Sequence, residues 1–272
     1  MDNTKTFKEH GWILLKDFFT KEEIREIRVG VEESIKQNVK VDLLCNPLLR
    51  DLTVLNPKII GIVRELLGEE PVYIGDSGIS FNDLIMSLHK DNPDKFHGEA
   101  PDWQSPYSVL RMGIYLQDYE TYSGGLILRD RSHNYLSRWK GKIINVKTMP
   151  ADLVIWNLRT THSGNARRYK MFPGWDINPY INKYLPTFLF KPTHVQRAAV
   201  FLSYCKEDVH QKRYIDYLKT RVYAVERWRS MVITEDIRSK ALQNGLKLKD
   251  FSEESKRISD SNTHANHKEL KF

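Results

Sequence analysis

From about Val72 to Tyr204 the chain is cut into short apolar or alternating runs, at 72–75, 83–89, 108–117, 125–129, 142–148, 152–157 and 197–204. Gly, Pro, Asn and Asp separate them, and Gly124-Gly125 marks a tight turn between two of them. Many short strands joined by turn signals predict a sandwich or barrel, and a double-sheet jelly roll is the natural closed solution. Helices flank this region. A strand from Gly11 to Lys16 is followed by Thr20-Lys21-Glu22-Glu23, a capping box, and by Ile24, Ile27, Val31 and Ile35 at helical spacing, so residues 21–37 are expected to be a helix. Pro57 and Gly68 frame a second helix, and Ile215, Leu218, Val222, Val225 and Trp228 mark a third between Val209 and Trp228. No linker divides residues 1–231, which read as one domain. Residues 232–272 read as a charged C-terminal extension with one short helix and a mobile end.

Composition narrows the functional classes. At 272 residues and 40% hydrophobic the chain can bury a large core. Two cysteines, Cys45 and Cys205, make no disulfide framework, so a reducing, cytoplasmic setting is expected. The polar start Met1 to Lys8 has no apolar core of a signal peptide, no run is long enough to span a membrane, and Leu270-Lys271-Phe272 is no targeting signal. The net charge of +7 raises nucleic-acid binding, but Lys and Arg are interspersed with 35 acidic residues, so an ordinary solvated surface is the expectation. A basic mouth for a small anionic substrate is the intermediate reading. Oligomeric state has no signature here.

The chemistry-bearing residues are His89, Asp91 and His162, with Arg197 downstream. Nine histidines and 35 acids yield roughly one His-x-Asp/Glu pair by accident, so such a pair needs context. There are three: His89/Asp91, His97/Glu99 and His267/Glu269. The last lies in the charged tail and the second follows an Asn92-Pro93-Asp94 turn. Only His89/Asp91 closes a strand-like run, Asp83 to Leu88, and in a strand i and i+2 face the same side. The third donor should come from a distant strand. Asp152-Leu153-Val154-Ile155-Trp156-Asn157 is a buried run that turns into Thr161-His162-Ser163. Two imidazoles and one carboxylate on one face of an ion leave positions open, the ligand set of non-heme Fe(II). Arg197, Ala199, Phe201 and Ser203 share a strand face, and the arginine fork could hold the far carboxylate of a 2-oxo acid.

These segments resemble the phytanoyl-CoA dioxygenase family of Fe(II)/2-oxoglutarate-dependent oxygenases, over most of residues 7–205. The likeness runs through Phe7-Lys8-Glu9-His10-Gly11-Trp12-Ile13 to Phe18-Phe19-Thr20, His89-Lys90-Asp91, Gly124-Gly125-Leu126 to Ser132-His133-Asn134, Asp152 to Trp156 into His162, and Arg197-Ala198-Ala199-Val200. Two departures stand out: Asp130-Arg131 replaces the usual Pro-Gly before Ser-His, and Arg197 lies farther beyond His162 than is common, which leaves Arg167 and Arg168 as rivals. The resemblance implies a mainly β protein with flanking α-helices around a double-stranded β-helix (jelly-roll, cupin-like) core. It implies Fe(II), 2-oxoglutarate and O2, with His89, Asp91 and His162 on the metal, Arg197 on the 2-oxoglutarate 5-carboxylate, and hydroxylation of a small molecule, anionic or carrier-linked, with release of succinate and CO2. Asp91 argues against a halogenase. Arg111, Trp156, Ser163 and Trp175 are candidates for contact with the ligands or substrate, Arg111 having a sheet salt bridge as its alternative. The insertion at about 169–196 holds Phe172, Trp175, Tyr180, Tyr184, Phe188 and Phe190, either packing over a sheet or forming a lid. Ser203 stands where a nucleic-acid demethylase of this chemistry would carry a second arginine. A non-catalytic jelly-roll binding protein of the same fold is the alternative function.

Overall fold

The computed structural model describes residues 2–82, 87–182, 184–193 and 196–271. Its elements run α1 (Asn3–His10), β1 (Trp12–Leu15), α2 (Lys21–Lys36), α3 (Pro57–Leu67), β2 (Val72–Phe81), β3 (Leu110–Tyr115), β4 (Gly125–Asp130), β5 (Lys142–Asn145), β6 (Leu153–Asn157), β7 (His162–Ala166) and α4 (Pro179–Asn182). They continue through β8 (Ala198–Cys205), α5 (Val209–Leu218), α6 (Val222–Arg229), α7 (Glu235–Gln243), β9 (Lys247–Leu248) and α8 (Ser252–Lys256). Two sheets form, one in the order β1-β6-β3-β8-β2-β9, the other β5-β4-β7.

The chain folds as two compact units. The first comprises Met1–Ile24, Ile79–Asp91 and Met112–Phe201; the second comprises Arg25–Gly78, Asn92–Arg111 and Leu202–Phe272. In the first, strand alternation builds the core. Leu126 and Leu128 of β4 meet Val154 and Trp156 of β6, Tyr115 of β3 and Ala199 of β8, so the inner faces of two sheets close on one apolar layer. Ile127, one residue out of phase, points the other way and packs with Leu88 and Ala166. This is the expected jelly-roll arrangement.

In the second unit α3 buries Ile59, Ile60, Ile62, Val63 and Leu66, with Asn56 as its N-cap and Gly68 at φ 76 as its C-cap. The capping box of α2 is present: Glu23 accepts from the Thr20 amide at 2.7 Å, and Thr20 Oγ1 accepts from the Glu23 amide at 3.1 Å. Three expectations shift. A helix, α1, precedes β1; it buries one residue, Phe7, which gives too little periodicity to read. The helix expected from 209 to 228 breaks at Lys219 to Arg221 into α5 and α6. The C-terminal stretch holds two helices, because Ile237 and Ala241 of α7 are buried. The strand run expected over 83–88 has residues 83–86 outside the described residues. No helix among the described residues is long and apolar enough to cross a membrane.

Candidate metal centre

Register explains why three distant donors meet. β4 and β7 are antiparallel with Leu128 opposite His162, and directly opposed residues share a sheet face, so His162 points inward with Leu128. On its other side β7 bridges to His89: each histidine amide donates to the other's carbonyl, both at 2.9 Å. His89 therefore faces inward as well, and Asp91, two residues on, follows it. The Asp91 amide donates to Leu158 O at 3.1 Å, which ties this segment to the turn after β6.

The donor atoms of His89, Asp91 and His162 all lie within 4.8 Å of one another. Asp91 Oδ1 is 3.4 Å from His89 Nε2, and Asp91 Oδ2 is 3.4 Å from His162 Nε2. The imidazole rings are 4.4 Å apart between centroids and tilted by 52°. His89 Nδ1 donates to Ser87 O at 2.9 Å and His162 Nδ1 to Thr160 O at 3.0 Å. A carbonyl only accepts, so each ring carries its hydrogen on Nδ1 and turns a lone pair on Nε2 toward Asp91. The two carboxylate–imidazole spacings of 3.4 Å, with no donor pair beyond 4.8 Å, are those of a set that can share one divalent ion. The donor set fits one divalent metal ion held on a single face.

The surroundings hold these groups in place. Trp156 lies 5.3 Å from His162, ring to ring, and packs edge-on against Phe201. Its buried Nε1 has no hydrogen-bond partner among the described residues. Lys90 points away from its two neighbours, is 2% exposed, and donates to Ser132 O at 2.8 Å and to Arg159 O, so it clamps the segment between two loops. Burial, with Arg159 nearby, pushes its ammonium down to about 7. The sequence signal for Lys90 is its place as the middle residue of an inward–outward–inward stretch, which must face the opposite side and find acceptors there.

Arg197 is 2% exposed and precedes β8 on the face that carries Ala199 and Phe201 into the core. Its Nε donates to Gly124 O, its Nη1 to Ser80 Oγ at 3.2 Å, and the guanidinium lies over the Tyr115 ring. Burial lifts the Tyr115 phenol well above its ordinary value, partly offset by Arg197, so it stays neutral. Arg168 is tied up otherwise: it donates to Tyr119 O and Pro173 O and stacks on Tyr119. Arg167 lies over the Phe190 ring.

The remaining candidates are scattered. Arg111 holds Asp76 at 2.7 Å, Ser203 at 3.1 Å and Tyr214 at 2.9 Å, all within the second unit; burial raises the Asp76 carboxyl, but Arg111, Ser203 and Tyr214 outweigh it and hold it low. Ser163 is buried on β7 opposite Ile127. Trp175 is 59% exposed and stacks on Phe172, with Tyr184 and Phe188 also at the surface. Of the insertion's aromatics, Phe190 is buried and Tyr180 packs on the outer face of β4.

No protein-family model matches the sequence, and no curated protein sequence matches it. Solved structures do match in fold. The non-heme alpha-ketoglutarate-dependent carbocyclase SnoK from nogalamycin biosynthesis is 19% identical with a TM-score of 0.53, over 77% of this chain and 88% of that one. The epimerase SnoN from the same biosynthesis is 13% identical at 0.53, over 75% and 81%. EctD from S. alaskensis, solved with 2-oxoglutarate and 5-hydroxyectoine, is 17% identical at 0.53, over 74% of each chain. The chain thus has the double-stranded β-helix fold of these enzymes, with flanking helices.

Proposed function

We propose that this protein is an Fe(II)- and 2-oxoglutarate-dependent dioxygenase of the phytanoyl-CoA dioxygenase type, hydroxylating a small molecule in the cytoplasm. One observation carries the reading: two Nε2 lone pairs and one carboxylate converge inside a jelly roll whose structural neighbours are alpha-ketoglutarate-dependent enzymes. Bound there, Fe(II) and 2-oxoglutarate supply O2-dependent oxidation with release of succinate and CO2. His89, Asp91 and His162 hold the metal, and their backbone-anchored Nδ1 atoms keep the rings from rotating away. Arg197 receives the 5-carboxylate of 2-oxoglutarate, its fork pre-set by Gly124 and Ser80. Trp156 and the buried β6 strand exclude water beside His162. We assign the oxygenase domain to residues 1–231, with 169–196 an insertion and 232–272 an extension.

The test is anaerobic absorption spectroscopy with Fe(II), before and after 2-oxoglutarate. A weak visible charge-transfer band is expected only with both, and its absence in His162→Ala. Asp91→Ala should abolish Fe(II)-dependent succinate formation, whereas Arg197→Gln should keep the metal and demand far more 2-oxoglutarate. Iron bound with no band, or succinate formed by Asp91→Ala, would overturn the assignment.

A further inference from the structure

The positive charge of this chain is not evenly spread. Residues 135–193 contain ten of the 42 basic residues and two of the 35 acidic ones, so this stretch carries +8 while the rest sums to −1. Within it a cleft of about 370 Å³ is lined by Arg167, Lys170 and Lys191, the hydroxyl-bearing Thr187 and Thr193, and the ring of Phe190. Its walls come from a return of the chain on itself: Tyr169 bridges to Phe190, the Lys170 amide donates to Leu189 O at 2.9 Å, and the Lys191 amide donates to Arg168 O at 2.8 Å. Arg167 lies over the Phe190 ring, which also stacks on Tyr169 with centroids 4.9 Å apart. Lys191 gives its ammonium to the carbonyl of Glu120. Among the described residues no carboxylate pairs with Arg167, Lys170 or Lys191.

Three cations in one cleft repel one another unless an anion offsets them. A single carboxylate offers one charge. A phosphate monoester carries about −1.5 to −2 at neutral pH and three acceptor oxygens, which matches an arginine fork, two ammonium groups and two hydroxyl donors. The volume falls in the range of small-molecule sites and exceeds what a bare phosphate fills. We infer that this cleft binds the phosphate monoester group of a small molecule. Arg167 immediately follows β7, five residues after His162, so its backbone stands no more than about 18 Å from that histidine's. The inference does not depend on the metal centre.

Titration calorimetry of the full chain with inorganic phosphate at low ionic strength tests it, with acetate at matched ionic strength as control. Phosphate should bind measurably where acetate does not. The double variant Arg167→Gln, Lys170→Gln should bind phosphate at least tenfold more weakly with an unchanged thermal midpoint, and Lys191→Met should do the same independently. Lys21→Gln, an exposed lysine elsewhere, should bind as the parent does. Phosphate no tighter than acetate, or unweakened in both variants, would overturn the proposal. Binding of phosphatidylglycerol vesicles without a response to free phosphate would replace it with a membrane surface.

Discussion

Gly11 turns the chain from α1 into β1 at φ +78, and a Cβ there would sit 2.2 Å from Nδ1 of His133. Gly11→Ala therefore combines left-handed strain with overlap on a buried ring and should destabilise the protein by at least about 2 kcal/mol in urea unfolding. His133 itself is held down to about 4 by burial, against its hydrogen bond to Lys8 O at 3.2 Å. The unfolded chain takes up that proton near 6.5, the folded chain only near 4, so unfolding binds a proton in between. Its contribution is complete above 6.5 and lost as pH falls toward 4, on the order of 2–3 kcal/mol. Stability measured across this window should slope less in His133→Gln; an unchanged slope would place the titration elsewhere.

At the level of elements, the helix ends are where single side chains decide most. Asp208 caps α5 by accepting from the amides of His210 at 2.9 Å and Gln211 at 3.1 Å. Burial raises its carboxyl, but hydrogen bonds from His210, Ser108 and the Gln211 amide outweigh that and hold it down to about 2. A depressed carboxylate stabilises the fold above its unfolded value of 3.8, and that contribution disappears as pH falls toward 2. Asp208→Ala should cost about 1–2 kcal/mol at neutral pH, with Asp208→Asn costing less. The gap between parent and Ala variant should close in acid; a gap that persists near pH 2 would mean the loss is one of packing.

For the whole molecule, a metal that binds the folded chain alone must raise its stability by mass action. At a hundredfold excess over the dissociation constant the gain is about 2.7 kcal/mol, so Fe(II) or a redox-inert divalent substitute should lift the thermal midpoint by several degrees. Chelator should reverse the shift, and Asp91→Ala should show none. An equal shift in that variant would locate the ion at some other group.

The flanking helices and most strands were legible because strict periodicity and caps act locally: Thr20 with Glu23, Pro57 with Gly68, and the alternation of β4, β6 and β8 all rest on neighbours in sequence. The pair His89 and Asp91 was legible for the same reason, as an i, i+2 step. His162 was legible as a histidine turning out of a distant buried strand, and it does join them; what seats it there, Leu128 standing opposite His162 and the His89–His162 bridge, lies in pairings between segments dozens of residues apart. Lys90, Arg111 and the cleft at Arg167 were decided in the same way. A cation's role follows from which carbonyls, carboxylates or other cations the fold carries to it, and chain spacing holds no record of that.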